Sequence, residues 1–478
     1  MKFNYETLII FLWHKIQGKE IDWRFAGPGL DEQVNLPVRY FYGAPYQNGT
    51  LLLDIDMNEI SFQIIDQKTQ KRARARTEHG LTHDGKILFR YKIISPFLAS
   101  STIKIEYKRS SIFSKTFEKL QSESCNCPKS RATFKSAYQC TEFKHLTSSF
   151  NKLQNKKINK KSIHRSSETL KGDSVIHYII KDNKLYSKEL SERLDFKRFS
   201  DGIFLSLLRK VNLPDIEFLF NVGDWPVSRE FPVFSWCGSE ESSDIVVPTW
   251  DQIKTTLLSM SKINVDILTM QLNGKSWQSK IPKGFFRGRD SSKERMRVSA
   301  LSMNNTALDA GITSFQFHEQ GNGTKVPIVP MSDFGNYKFQ LLLDGTVAPY
   351  RAPYVFQTSS LVFKQKSKFA EWWYPYLRKD IDFVELDEKA ENIEEKIEWA
   401  LENDEIAEWI AQNGFELTKE LLKPENVYCH YLQAFEQYSE LMDYEPIVSD
   451  EFQLVNKDPE VTVHNCNCEL EKNLRDEL

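Results

Sequence analysis

Between Trp23 and Leu120 the chain alternates apolar and polar residues in short runs that are separated by turn residues. Such alternation places successive side chains on opposite faces of a strand, and it is clear in residues 38–42, 60–64 and 103–107. The dipeptides Asn48-Gly49 and Asp84-Gly85 are typical of tight turns between strands. Short strands at this spacing predict a β-sandwich.

A different pattern follows a polar stretch. Residues 123–172 are rich in Ser, Lys and Asn, and we interpret them as a joint that carries three cysteines. Beyond them, apolar strands such as 216–222 and 339–343 alternate with amphipathic helices, the last two at 394–412 and 424–441. This alternation predicts parallel sheets covered by helices on both faces, over a length that suits two α/β lobes and a cleft.

The pattern therefore predicts a multidomain chain, with a β-sandwich followed by an α/β region. We divide it into a candidate signal peptide at 1–19, a sandwich at 20–122, a joint at 123–172, an α/β region at 173–442 whose lobes meet near residue 275, and a polar tail at 443–478.

Composition excludes several classes of protein. The 478 residues carry a formal net charge of −3, which argues against a general nucleic-acid binder, since such proteins are usually basic. Charged residues make up 27% and aromatic residues 13%, a balance that argues against global disorder. No apolar run reaches the length of a membrane span, so we expect none in the mature protein.

Both ends of the chain indicate the secretory pathway. The apolar run 8–13 has the length of a signal-peptide core, although a buried first strand is the alternative interpretation. The last four residues resemble the Lys-Asp-Glu-Leu signal that a receptor uses to retrieve proteins to the endoplasmic reticulum; they are Arg475, Asp476, Glu477 and Leu478. Three acceptor sequons for N-glycosylation begin at Asn48, Asn304 and Asn322.

In an oxidising lumen the seven cysteines become disulfide candidates, and their odd number leaves at least one without a partner in the same chain. Two Cys-Asn-Cys pairs, at 125–127 and 466–468, raise the question of a metal site. Zinc-binding cysteines are usually separated by two or more residues, so we predict no metal.

The stretch 285–295 carries the clearest candidate binding chemistry. Phe285 and Phe286 before Gly288 indicate the end of a strand, and Ser291 with Glu294 predicts a capping box that starts a helix. A helix N-terminus presents unpaired backbone N–H groups and a partial positive charge to an anion.

The residues of that turn suit a pyrophosphate. Arg287 and Arg289 flank Gly288, which allows a ligand to approach the backbone, and Arg295 lies about one helical turn further on. The alternative is a solvated basic turn.

A carboxylate follows another apolar strand. Asp224, in the sequence Gly223-Asp224-Trp225-Pro226, would project beyond the carboxyl end of that strand, where α/β proteins bind ligands. It would act there in catalysis or only shape the turn. Trp225 and Trp236 would form a platform for a sugar, or pack beneath the turn.

A third strand leads into the segment Thr346, Val347, Ala348, Pro349, Tyr350 and Arg351. Together with Arg295, Arg351 would clamp a diphosphate; its alternative role is a surface ion pair. Tyr350 would stack on a base or fill the core.

Several stretches taken together resemble known families. Residues 27–30 and 84–91 resemble the filamin-type immunoglobulin repeat. In the α/β region, four stretches in this order resemble the protein O-glucosyltransferases of the Rumi type, which are related to fungal capsule-associated glycosyltransferases; they are 221–226, 232–236, 286–295 and 344–351. The filamin-like front and the final tetrapeptide are similar to the KDEL-motif-containing branch.

This resemblance implies a GT-B fold with two Rossmann-like lobes, UDP-glucose as donor, no metal, and serines of EGF-like repeats in Notch-type and fibrillin-type proteins as acceptors. By motif, Asp224 matches the catalytic base, and Arg295 with 346–351 matches donor-binding positions. Arg289 stands at a donor-contact position where Rumi members have serine. Phe196 falls about where the family contacts its acceptor, and Trp225 is a second candidate acceptor contact.

The leading hypothesis is therefore transfer of glucose to folded repeats in the lumen of the endoplasmic reticulum. UDP-xylose as donor, and a non-catalytic binding or quality-control factor, are the alternatives. The resemblance also implies that Cys429 is disulfide-bonded, with Cys127 or Cys125 as partner.

Overall fold

The computed structural model describes residues 21–456, except 96, 99, 126, 154–156, 259, 261–266, 273–274 and 319–324. The candidate signal peptide, Asn322 and the final tetrapeptide lie outside the described residues. The chain divides between Cys127 and Pro128 into two compact units.

The first unit consists of antiparallel strands in two main sheets. One sheet has the order β1-β2-β6-β5 with β3 paired to β2, and the other has the order β4-β8-β9. The strands are β1 (Asp22–Ala26), β2 (Arg39–Gln47), β3 (Thr50–Leu51), β4 (Ile60–Asp66), β5 (Ala75–Leu81), β6 (Ile87–Ile93), β7 (Phe97–Leu98), β8 (Ser101–Tyr107), β9 (Ser110–Phe117) and β10 (Leu120–Gln121).

Aromatic rings from both sheets fill one core between them. Phe41 and Phe89 of the first sheet stack with ring centroids 5.2 Å apart, and Phe62 of the second sheet meets Phe89 edge-on at 5.3 Å. The predicted β-rich N-terminal region is confirmed, and its two sheets pack as a sandwich. Its relationship to filamin repeats stays a prediction.

The second unit contains ten α-helices and thirteen strands among its described residues. In chain order they are α1 (Arg131–Ala137), α2 (Lys144–Asn151), α3 (Lys160–Thr169), β11 (Val175–Lys181), β12 (Lys184–Glu189), α4 (Lys197–Leu208), β13 (Ile216–Asn221), β14 (Phe234–Ser235), β15 (Gly238–Ser239), β16 (Ile245–Val246), α5 (Trp250–Leu258), β17 (Ile281–Arg289), α6 (Lys293–Ser302), β18 (Leu308–Ser314), β19 (Tyr337–Leu342), α7 (Ala352–Phe356), β20 (Leu361–Gln365), β21 (Phe369–Ala370), β22 (Val384–Leu386), α8 (Ile393–Glu402), α9 (Asp404–Leu421), α10 (Pro424–Leu441) and β23 (Gln453–Leu454).

The second lobe of this unit is built on a parallel sheet with the order β18-β17-β19-β20-β22. Its core contains Trp277 at the start of the lobe and side chains from α6, α8 and α9. The chain moves from β17 to β18 on one side and then to β19 on the other. A reversal of this kind opens a crevice at the carboxyl ends of the strands on either side of it, here β17 and β19, and ligands of α/β proteins bind in such crevices.

The first lobe has a mixed sheet with the order β16-β14-β13-β11-β12-β23. Strands β13, β14 and β16 are parallel, but β11 is antiparallel to both of its neighbours. Asp182 and Asn183 between β11 and β12 have φ of 50° and 55°, the backbone of a two-residue turn that only an antiparallel hairpin can use. The prediction of parallel sheets is therefore confirmed for the second lobe and wrong for this half of the first.

Helix α10 returns to the first lobe after the chain has built the second. The ring of Phe435 lies 5.3 Å from Phe204, 5.2 Å from Phe218 and 5.6 Å from Phe234. The last helix thus completes the aromatic core under the first sheet. Strand β23 then pairs with β12, so part of the predicted polar tail extends this sheet.

The predicted joint contributes three helices, α1 to α3, to the second unit. A disulfide joins Cys140 to Cys429 on α10, and the Phe143 amide donates to the side chain of Gln433 at 2.9 Å. The prediction that Cys429 is bonded is confirmed, but its predicted partner is wrong. The connection between α1 and α2 lies against α10, whereas Cys125 and Cys127 are themselves disulfide-bonded.

Removing the Cys140–Cys429 bridge should lower thermal stability strongly, because the bond joins residues 289 apart in the sequence. The loop-entropy model assigns such a bridge about 6 kcal/mol. We expect the double variant Cys140→Ala/Cys429→Ala to melt at least several degrees below the parent in calorimetry.

The matched control is Cys237→Ala, which removes a buried free thiol and should lower the melting temperature much less. Equal melting temperatures for the double variant and the parent protein would contradict a stabilising role for the bridge.

Candidate active site

Asp224 lies in the first lobe, in the loop that follows β13. Asn221 at the end of the strand shapes this loop, since its side chain accepts from the Gly223 amide at 2.9 Å and donates to the Trp225 carbonyl at 2.7 Å. The Asp224 side chain is solvent-exposed, yet protein atoms crowd it enough for burial to raise its pKa above the ordinary value. A base in a cleft needs this combination of access and proton affinity.

Tyr350 of the second lobe reaches this loop. Its hydroxyl donates to the Asp224 carbonyl oxygen at 3.4 Å, and this neighbouring hydroxyl opposes the rise in the pKa of Asp224. The structure thus brings together Asp224 and the 346–351 segment, which are far apart in the sequence. Within that segment Val347 and Ala348 are buried, while Thr346 is partly exposed.

Arg295 lies inside the mouth of α6 with only 5% of its surface exposed. Its guanidinium donates to the Leu343 carbonyl at 2.9 Å and to the Ser291 hydroxyl at 2.7 Å. Its Nε has no acceptor among the described residues. Burial and then the charge of Arg351 lower the pKa of Arg295 to about 9, so the group is still charged at neutral pH.

Arg351 stands beside it. The centroid of the Phe286 ring lies 5.5 Å from the guanidinium carbon of Arg351 and 5.4 Å from that of Arg295. Arg351 also donates to the Arg287 carbonyl oxygen, and burial lowers its pKa to about 10. A Cβ at Gly288 would lie 3.0 Å from the Arg351 guanidinium, so a glycine here allows this close packing.

Neither Arg295 nor Arg351 forms a salt bridge within the described part of the chain. Two adjacent buried cations without a carboxylate partner are costly, and a bound anion would offset that cost.

Ser292, one residue later than predicted, is the N-cap of α6. Its hydroxyl accepts from the Arg295 amide at 3.3 Å and donates to the Asp344 carbonyl at 2.9 Å. The predicted cap, Ser291, holds the Arg295 side chain instead. Gly345 packs closely against the start of α6, since a Cβ at this position would lie 2.9 Å from the Ser291 hydroxyl.

The side chains of the two arginines of β17 lie apart from this pair. Arg287 alternates to the opposite face of the strand, where it pairs with Asp309 at 2.5 Å and lies over Phe285. Arg289 is exposed at the end of the strand. Of the predicted cations, the structure therefore brings Arg295 and Arg351 together and sets Arg287 elsewhere.

The predicted aromatic contacts separate into exposed and packed groups. Trp225 is 53% exposed and meets Phe369 edge-on at 5.5 Å, whereas Trp236 is fully buried. Phe196 packs against Trp250 at 5.0 Å, and Trp250 meets Tyr350 at 6.1 Å. Phe196 is thus connected to Tyr350 through one ring, and Trp225 is the exposed aromatic beside Asp224.

Two buried carboxyl groups behind Tyr350 were missed by the sequence analysis. Asp251 and Glu371 are 4% and 1% exposed, and each has one side-chain oxygen without a partner among the described residues. Burial raises the pKa of Asp251 to about 7 and that of Glu371 well above its ordinary value. Nothing in the sequence marks this pair, because its members come from different lobes.

A family model described as glycosyl transferase family 90 matches residues 135–476, more than two thirds of the chain. The chain belongs to glycosyltransferase family 90. The predicted resemblance to Rumi-type enzymes is confirmed, and the chain is a glycosyltransferase.

Two relatives match this family member over most of their length. It is 35% identical over 475 residues to protein O-glucosyltransferase 3 of Homo sapiens, covering 95% of this chain and 93% of the relative. It is 34% identical over 469 residues to protein O-glucosyltransferase 2 of Danio rerio, with the same coverage. A crystal structure of TarM covers 88% of this chain and 79% of its own at 10% identity, with a TM-score of 0.31.

Three further predictions for this glycosyltransferase concern membrane spans, metal binding and N-glycosylation. In the part of the chain that the structure describes, no helix is long and apolar enough to cross a membrane. Among the same residues, no three His, Cys, Asp or Glu side chains are arranged to hold a metal ion. Asn48 and Asn304 are exposed, and their glycosylation stays a prediction.

The buried carboxyl pair should make stability fall as pH rises. A carboxyl whose pKa is raised by folding favours the folded state below its unfolded pKa, and that advantage is lost as pH rises through the folded pKa, about 7 for Asp251. The variant Glu371→Gln removes one ionisation, so we expect its melting temperature to fall less than that of the parent between pH 5 and pH 8.

The matched control is Glu388→Gln, because the Glu388 side chain is 72% exposed in an ion pair with Lys366. Melting curves of Glu371→Gln that run parallel to those of the parent would contradict the assignment.

Proposed function

We propose that the chain transfers glucose from UDP-glucose to serine hydroxyls of EGF-like repeats, such as those of Notch-type and fibrillin-type proteins, in the lumen of the endoplasmic reticulum. The observation that carries the proposal is one carboxylate, Asp224, whose loop contacts Tyr350 of the second lobe, while the next residue, Arg351, packs with Arg295 against the ring of Phe286. The two relatives described above are protein O-glucosyltransferases, which supports transfer of glucose to a protein hydroxyl.

The reaction follows from the charges at the site. Asp224 accepts the serine proton as the hydroxyl oxygen forms a bond to the anomeric carbon. The bond from that carbon to the UDP oxygen breaks on the opposite face, and UDP leaves with the electron pair, which inverts the configuration. Arg295, Arg351 and the N-terminus of α6 stabilise the charge that grows on the diphosphate. No metal takes part in this proposal.

The architecture supports a GT-B arrangement. The second lobe supplies a parallel sheet with a crevice at its carboxyl ends, and the first lobe supplies Asp224 and receives the final helix. Trp225, exposed beside Asp224, is our candidate contact for the acceptor, and Phe196 lies one aromatic ring behind the cleft. Family membership favours this catalytic role over a binding or quality-control factor.

Replacing Arg351 should weaken donor binding. A charge-assisted hydrogen bond is worth about 1.5 to 3 kcal/mol, so we expect Arg351→Gln to raise the dissociation constant of UDP on the order of tenfold or more. Isothermal titration at fixed salt measures this change. For comparison, Arg287→Gln should keep nearly the parental affinity, because Asp309 holds its guanidinium on the other face of β17. Equal losses in both variants would contradict the assignment.

Replacing Asp224 tests the base. General-base catalysis contributes about a hundred- to ten-thousandfold, so we expect Asp224→Asn to lose at least that lower factor in turnover while it still binds UDP. The assay supplies a folded repeat with competing UDP-glucose and UDP-xylose, and product mass reports the transferred sugar. Asp215→Asn, a first-lobe aspartate paired with Lys181, is the control. Full turnover in Asp224→Asn would remove this residue from the mechanism.

A further inference from the structure

Tyr350 contacts the loop of the proposed base, Asp224, and belongs to the segment that carries the proposed donor-binding residue, Arg351. It belongs to the second-lobe segment that carries Arg351, but its ring rests edge-on against Trp250 of the first lobe, with centroids 6.1 Å apart. Its hydroxyl donates to the Asp224 carbonyl oxygen at 3.4 Å, and its presence lowers the pKa of the Asp224 carboxyl against the effect of burial. Among the described residues, no other side-chain hydroxyl donates to Asp224.

Arg351, the next residue along the chain, belongs to the proposed donor site. The guanidinium of Arg351 turns the other way, to the Arg287 carbonyl and the face of Phe286. The two residues cannot move independently, because Arg351 is the N-cap of α7 and Pro353 restricts the first turn of that helix. The backbone amides of Tyr354 and Val355 both donate to the Arg351 carbonyl, at 3.0 and 3.1 Å.

The phenol is a dependable donor at this position. Burial and the negative groups around it, first Asp224, raise the pKa of Tyr350 well above its ordinary value. The buried carboxyls Asp251 and Glu371 act in the same direction. The hydroxyl therefore keeps its proton over the working pH range, so it remains a donor beside Asp224 and does not compete with it as a base.

We propose that Tyr350 is a positioning residue that couples occupation of the donor site to the alignment and ionisation of Asp224; the inference rests on the proposed function. A diphosphate that binds Arg351 fixes the segment 350–351, and so fixes the hydroxyl against the loop of Asp224. The base is then aligned in its ionised form when a donor is present.

The variant Tyr350→Phe tests this directly, because it keeps the ring against Trp250 and removes only the hydroxyl. We expect turnover to fall on the order of tenfold, with UDP affinity within about twofold of the parent. The acidic limb of kcat/KM should move to higher pH, because the Tyr350 hydroxyl lowers the pKa of Asp224 in the parent. A role confined to packing would change the melting temperature and leave this limb in place.

The matched control is Tyr354→Phe. Tyr354 lies four residues along the same chain segment, and its hydroxyl donates to the Asp251 carbonyl oxygen at 3.5 Å. We expect its acidic limb and turnover to match those of the parent. UDP binding shows that each variant is folded at the donor site.

The outcomes distinguish a failure of the coupling through Tyr350 from a failure of the proposed function. If the parent binds UDP and Asp224→Asn is inactive, a Tyr350→Phe variant with parental turnover and acidic limb overturns the coupling and leaves the proposed function standing. Loss of UDP binding in Tyr350→Phe also overturns it, since the residue would then belong to the donor site alone. A parent protein that does not bind UDP overturns the proposed function, and the inference with it.

Discussion

Two guanidinium groups lie against the same aromatic ring at the start of α6. Much of the second lobe packs around them and holds them there. Arg295 and Arg351 lie over Phe286 and donate to carbonyl and hydroxyl oxygens, which stabilise each cation without neutralising it. Glycines at 288 and 345 leave the room that these side chains need. The repulsion between the cations is a cost that the fold retains, and a bound anion would offset it.

The hydrophobic pattern was enough to predict the large elements. The 424–441 helix and the strand at 339–343 were read from periodicity, because their apolar faces meet a core over many residues. The parallel sheet of the second lobe followed from the alternation of such elements. Asp224, Arg295 and Arg351 could be proposed as partners because each stands at the end of a strand or the start of a helix, where the fold collects functional groups.

The errors arose where a few residues decided the geometry. Asp182 and Asn183 formed a two-residue turn whose positive φ values the hydrophobic pattern does not show, and they made the hairpin antiparallel. Ser291 and Ser292 are chemically alike, so their spacing from Glu294 alone did not decide which one caps α6. Neither the Cys140–Cys429 bond nor the Asp251–Glu371 pair has a local signal, because each depends on how distant segments pack.

The return of α10 to the first lobe has a consequence for synthesis on the ribosome. The second lobe is complete in one continuous stretch and can fold as it emerges, whereas the aromatic core of the first lobe lacks Phe435 until the end. Cys140 can pair with Cys429 only after 289 further residues have been synthesised. At ordinary translation speeds this takes roughly 15 to 60 s. During that interval its thiol is exposed to incorrect pairing, so we expect faithful maturation of this chain to depend on disulfide exchange after translation rather than on the first bond that forms.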